Sequence, residues 1–151
     1  MTQEDKELLL KDLCGRLQYK VRVSVNGGKE SCTLKGMFDG EHTGMMLILE
    51  PSFPSKDVSP RTSNWQLSQC KPYLRPMSSM TEEEKREIYN WLVKNDVDWF
   101  DFSKLRLDEI LISFDSSWLL VNWLLKNHFD FMDLIPKGLA ISTEEFNPYK
   151  D

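Results

Sequence analysis

YKVRVSVNGGKESCTLKGMF, residues 19–38, decides how the chain folds. Val21, Val23 and Val25 alternate with Lys20, Arg22 and Ser24, the period of a strand with one buried face. Asn26-Gly27-Gly28 follows, residues that accept positive φ and so predict a tight hairpin turn. ESCTLKGMF (30–38) resumes the alternation through Cys32, Leu34, Gly36 and Phe38 as a second strand. Asp39-Gly40 turns the chain, and TGMMLILE (43–50) reads as a third, more deeply buried strand. Residues 51–63 carry Pro51, Pro54 and Pro60 among serines and cannot be regular structure. NWQLSQCKPY (64–73) places Trp65 and Leu67 on one face of a fourth strand.

Upstream, EDKELLLKDLCGRL (4–17) sets Leu8, Leu9, Leu13 and Leu17 on one helical stripe, with Gly15 where a helix commonly stops. A helix followed by four short strands in a meander with one long loop is the order of a small antiparallel SH3-like β-barrel. Over residues 4–73 it also resembles the Sm-like fold. That resemblance rests on Val21-x-Val23 ahead of Asn26-Gly27, on Leu34, Gly36, Phe38 and Asp39, and on the methionine and apolar strand after them. In the Sm family, RNA bases are held by an Asp, an Asn after the methionine and a later Arg-Gly pair. Asp39 matches, Met46 stands where the Asn belongs, and no Arg-Gly pair occurs. The resemblance therefore implies the fold and leaves the RNA site without its residues.

KPYLRPMSS (71–79) reads as an extended linker, because residues before Pro72 and Pro76 are biased away from helix. Thr81-Glu82-Glu83-Glu84 then forms a capping box, and Ile88, Trp91, Leu92 and Asn95 follow at helical spacing. A second helix starts at Ser113 or Asp115 and runs through WLLVNWLLKN, apolar almost all round and so the more deeply buried. These two helices contain a near-repeat. NWLVKNDVDWFDF (90–102) and NWLLKNHFDFMDL (122–134) share seven of thirteen positions at an offset of 32. Each reads as a helix end: Trp91 or Trp123 inward, Asn95 or Asn127 as the left-handed cap, then an aromatic segment folding back. Asp98/Asp130 and Asp101/Asp133 are placed to start turns. The organisation is thus α+β: residues 1–76 as helix plus barrel, and 77–151 as a two-helix extension packed on it.

A hydrophobic content of 40 %, with 5 Trp and 8 Phe in 151 residues, is ample for a core. The longest apolar runs, MMLIL and WLLVNWLL, are far too short to span a bilayer, and the acidic MTQEDKELLLKD does not read as a signal peptide. Three widely spaced cysteines, Cys14, Cys32 and Cys70, fit a reduced compartment, so the expected location is cytoplasmic. Charge is uneven. Residues 1–76 hold 11 Lys/Arg against 9 Asp/Glu, net +2, and residues 77–151 hold 8 against 15, net −7. The acidic half is either a solvated helical face or a surface for a basic partner.

Most chemistries lack their residues. With only His42 and His128, no Cys-x-x-Cys and no His-x-x-x-His, no zinc site is expected. Asp96-x-Asp98-x-x-Asp101 lacks the alternate oxygen ligands and the glycine of a calcium loop. Gly27-Gly28 is not followed by the Gly-Lys-Ser/Thr of a phosphate loop, and no Gly-x-Ser-x-Gly occurs. Cys14, near a helix C-terminus, is not activated there. His128 reads as a helix-terminal cation or hydrogen-bonding cap rather than a general base. No cofactor is expected. Lys20, Arg22, Lys29, Lys35, Lys71 and Arg75, with Tyr73, could track a phosphate backbone, though a net +2 is weak for binding driven by charge.

Three segments in order, Lys11-Asp12-Leu13-Cys14, KPYLRPMSSMT (71–81) and HFDFMDLIPKGLA (128–140), span nearly the whole chain. Together they resemble a family of small proteins found in gut Bacteroidales and their bacteriophages. Phe131-Met132-Asp133 departs from that pattern, which more often carries Tyr-Arg-Gly. The resemblance implies a shared fold and a phage or prophage context, and brings no activity with it. The expectation is a non-enzymatic accessory protein binding a host or phage protein, with Trp91, Trp99, Phe100 and Phe131 as candidate contact patch. The alternatives are an Sm-like nucleic-acid-binding module and a small enzyme.

Overall fold

The computed structural model describes residues 1–28, 31–52, 62–94 and 114–150. Helix α1 (Gln3–Arg16) starts on a capping box in which Thr2 Oγ1 accepts from Asp5 N and Asp5 accepts from Thr2 N. Leu9 and Leu13 reach the core, whereas Leu17 has left the helix for a 3-10 turn (Leu17–Tyr19) and is 36 % exposed. Gly15 does not end the helix. A Cβ there would stand 2.9 Å from Leu125 Cδ1, so the glycine lets a second helix approach α1 closely.

Six strands follow: β1 (Arg22–Val25), β2 (Ser31–Gly40), β3 (Gly44–Pro51), β4 (Ser63–Gln66), β5 (Cys70–Leu74) and β6 (Ile141–Ser142). They form one sheet in the order β4-β3-β2-β1-β5-β6, antiparallel except for the β5–β6 pair. The expected hairpin turn is present. Asn26 and Gly27 have φ of 51° and 69°, and Gly28 N donates to Val25 O at 2.9 Å.

Two strand readings are corrected. The fourth strand is two strands, β4 and β5, broken by a 3-10 turn at Leu67–Gln69. In β2, register slips between Leu34 and Gly36, which pair with Leu49 and Ile48 respectively. Lys35 is the extra residue of a bulge, and its ammonium pairs with Glu50 at 2.5 Å. One added residue exchanges the faces of everything beyond it. Met37 therefore packs against the core and Phe38, expected inside, is 40 % exposed.

The turn between β4 and β5 also fixes the curvature of the sheet. In a flat sheet these strands would lie four spacings apart, roughly 19 Å, yet Gln66 and Cys70 are joined by three residues, reaching at most about 14 Å. The sheet must curl, bringing its two ends toward each other. Among the described residues no ladder joins β4 to β5, so the sheet is curled and open.

The segment 71–79, expected as a linker, begins as β5, with Pro72, Tyr73 and Leu74 buried between β1 and β6. Only Met77–Ser79, a 3-10 turn, is a connection, and it leads to α2 (Glu82–Lys94). Thr81 caps α2 as expected: Glu84 N donates to Thr81 Oγ1 and Glu84 accepts from Thr81 N. Helix α3 (Phe114–Lys126) packs on both α1 and α2. Leu134, Leu139 and Ala140 join Leu9, Leu13, Val23, Leu34, Leu47 and Leu49 in one core. Ile88, Leu120, Leu124 and Phe129 form a second, with Trp91, Trp123 and Phe131 packed against it. No helix among the described residues is long and apolar enough to cross a membrane.

Candidate functional site

The polar chemistry gathers where α3 ends. Asn127, expected as the left-handed cap, keeps helical hydrogen bonding and its amide donates to Trp123 O at 2.9 Å. The left-handed residue is the next one, His128, with φ of 60°. His128 N donates to Leu125 O and Phe129 N to Leu124 O, the paired bonds of a Schellman motif. Phe129 and Leu124 meet in the second core, the apolar contact that accompanies this ending. The chain then turns onto Asp130, whose buried carboxylate accepts from Leu134 N and Ile135 N, both at 2.8 Å. That role as a turn-former was expected. Burial raises the Asp130 carboxyl above its ordinary range, against the lowering effect of those two N–H groups.

Two arginines hold this ending in place. Arg16 is fully buried, pairs side-on with Asp12 at 2.7 and 2.8 Å, and donates to Phe129 O at 2.7 Å and Leu125 O at 3.4 Å. Arg75 pairs end-on with Glu84 through Nη1 and Nη2 at 2.6 and 2.9 Å and lies 4.1 Å over the Phe129 ring. Its backbone bonds the same segment: Arg75 N to His128 O and Asp130 N to Arg75 O. The Asp12–Arg16 pair was missed in the sequence. The signal was there, because Leu9, Asp12, Leu13 and Arg16 fall on one helical stripe.

The His128 ring stacks on Tyr149 with centroids 4.3 Å apart and planes 12° apart. The Tyr149 hydroxyl is itself fixed. It accepts from Arg22 N and donates to Tyr73 O, both at 3.0 Å, and burial drives its pKa well above the ordinary value. Burial, then the Arg16 and Arg75 charges, lower His128 to about 4. The imidazole is therefore neutral at pH 7 and is not the helix-terminal cation expected. A cleft of about 660 Å³ opens beside it, lined by Lys126, Asn127, Asn147 and Lys150 among others.

A second concavity, about 320 Å³, runs between α2 and α3. Glu87 and Trp91 line it from α2, Leu119, Asn122, Trp123 and Lys126 from α3, Asn127 from just after α3, and Tyr19 from the turn after α1. Trp118, one turn before Asn122, is 63 % exposed.

Of the expected patch, Trp91 and Phe131 are both half-buried against the second core, with the Arg16 guanidinium 5.8 Å from the Phe131 ring. Trp99 and Phe100 lie outside the described residues, as does the rest of the first repeat beyond Lys94. The basic residues are dispersed. Lys20 and Lys71 are exposed, Arg22 donates to Thr33 and Ser52, Lys35 pairs with Glu50, and Arg75 pairs with Glu84. Tyr73 is buried against Phe146, leaving no ring face for a base. Burial pushes the Cys70 thiol up to about 12, so it carries no thiolate at pH 7. No disulfide joins Cys14, Cys32 and Cys70. Among the described residues no three His, Cys, Asp or Glu side chains are grouped to hold a metal. The sequence matches no family model, no curated protein and no solved structure.

Proposed function

We propose that the chain is a non-catalytic accessory protein that binds another protein through the groove between α2 and α3. The observation that carries this is two indoles, Trp91 and Trp123, lining one groove, with a third, Trp118, projecting from the same helix. Tryptophans at a concave surface are the residue type that most often dominates a protein contact. The reactive groups of the other end are, by contrast, spent on structure: Asp12, Glu84 and Asp130 are each bonded to arginine or backbone N–H groups. The partner is a basic segment with an apolar anchor. Glu87 and Lys126 offset each other within the groove, so the preference for a basic segment comes from the net −7 of residues 77–151, which steers positive charge toward it. The curled sheet, read as an SH3-like barrel, is the scaffold beneath. The resemblance to Bacteroidales phage proteins makes the partner a host or phage protein.

A photo-crosslinking residue at Trp118, in host cytosol, is expected to capture one protein that the same residue at Phe38 does not. That protein, purified, should bind with at least tenfold lower affinity to Trp118→Ala, and to Glu87→Lys with a reduced dependence on salt. Equal capture at Phe38, or unchanged affinity in both variants, refutes the groove as the contact.

A further inference from the structure

His128 breaks two local rules at once. It holds a positive φ where glycine sits without steric cost, and its Nδ1 is buried with no hydrogen-bond partner. The helix ending requires the positive φ but not an imidazole, since the Schellman bonds are made by backbone atoms alone. Such departures concentrate where a side chain is held for binding or chemistry. Both breaks here set the imidazole in the wall of the 660 Å³ cleft.

The ring environment also decides which nitrogen carries the proton. A proton on Nδ1 would be a buried, orphaned N–H, the costlier arrangement; a lone pair there is tolerated better. The neutral ring is thus protonated on Nε2, which is not sealed in this way and makes no hydrogen bond to a described residue. Stacking on Tyr149, itself tethered to Arg22 N and Tyr73 O, keeps the ring from turning away. The cleft therefore offers a fixed N–H donor. The charges around it fit an acceptor. Lys126 and Lys150 line it, neither in an ion pair with a described residue, against one carboxylate, Glu144; the Arg75 charge is already matched by Glu84. This excess of cation lies in the half of the chain whose net charge is −7.

We propose that this cleft binds the oxyanion of a small molecule, a phosphate or carboxylate, with Nε2 of His128 donating to an anion oxygen and Lys126 and Lys150 supplying the charge. The cleft is far larger than a bare anion, so the oxyanion is one end of an organic molecule.

The test is NMR on the full chain at pH 7, reading the ¹⁵N signals of the His128 ring during separate titrations with inorganic phosphate, acetate and chloride. Before any addition, the ring is expected as the Nε2–H tautomer. Phosphate or acetate should then move the Nε2 signal saturably, with a dissociation constant on the order of 1 mM for so small a fragment, and chloride should not. Comparing phosphate with acetate identifies which oxyanion the site prefers. Lys126→Gln/Lys150→Gln alters only surface side chains and should weaken the response at least tenfold with an unchanged melting temperature. An Nδ1–H tautomer, a chloride response equal to the others, no saturable response to either oxyanion, or full binding by the double variant each overturns the proposal.

Discussion

Arg16 and Arg75 do nearly the same thing in two different settings. Each takes a carboxylate with two hydrogen bonds, Arg16 side-on and Arg75 end-on, and each grips Phe129, Arg16 by its carbonyl and Arg75 by its ring. The settings differ sharply. Side chains of Asp12 and Arg16 are 0 % exposed, while those of Arg75 and Glu84 are 26 % and 21 % exposed. Water can replace a lost partner at the second pair and cannot at the first. Exposure, more than bonding pattern, therefore sets how much each arginine matters.

The largest effect expected is at the buried pair. Arg16→Met leaves a buried Asp12 carboxylate and the Phe129 carbonyl without their donor, while Leu125 O keeps the bond from His128 N. Breaking a buried pair from one side costs about 3–5 kcal/mol, which urea unfolding will read as a shift in midpoint at constant slope. Asp12→Leu/Arg16→Met should recover part of that loss, because the charge is gone, but not all, because the Phe129 carbonyl remains unpaired. A loss below about 1 kcal/mol in the single variant would mean that water reaches Asp12.

Much of this could be read from residue order, and the failures have physical causes. The 19–28 hairpin and the Thr81 capping box were legible, because turn and cap chemistry is local. Phe38 was misplaced because a bulge at Lys35 reverses the faces, and a bulge leaves no mark in an alternating pattern. KPYLRPMSS looked like a linker since two prolines usually exclude a paired strand, yet Pro72 is buried in β5. Asp12 and Arg16, four apart on a helix, look like an ordinary solvated pair. The groove tryptophans were singled out in part. The cleft was not, because it joins residues 75 to 150 only in space.

His128 receives charge from both arginines and so tests them together. Its folded pKa is about 4, lowered from an ordinary 6.5 by burial, then by Arg16, then by Arg75. Between those values the unfolded chain binds the extra proton and the folded one does not. Stability conferred by the neutral ring is present above pH 6.5 and is lost as pH falls toward 4, by about 3 kcal/mol at the lower end. Thermal unfolding from pH 7 to 4 should show this slope, and His128→Asn, which still accepts positive φ but cannot titrate, should flatten it. An unaltered slope in that variant would assign the acid sensitivity to other groups.

The smallest effect belongs to the more exposed pair, and one substitution probes it. Glu84→Gln keeps the acceptor that Thr81 N needs, since glutamine also closes a capping box, and leaves Arg75 over the Phe129 ring. The charged pairing is removed and the amide nitrogen is set against Arg75 Nη1, for which about 1 kcal/mol is expected at pH 7. The Arg75 hydrogen bond holds the Glu84 carboxyl below its ordinary range. Its contribution is thus complete above the unfolded carboxyl pKa and fades as pH drops through the lower folded value, so wild type and variant should converge in acid. Salt at 1 M should narrow the gap at pH 7 while leaving the Arg16→Met loss nearly intact, because screening reaches an exposed pair and not a sealed one. If Glu84→Gln instead costs as much as Arg16→Met, exposure is not what separates the two arginines, and their shared hold on Phe129 becomes the better explanation of both.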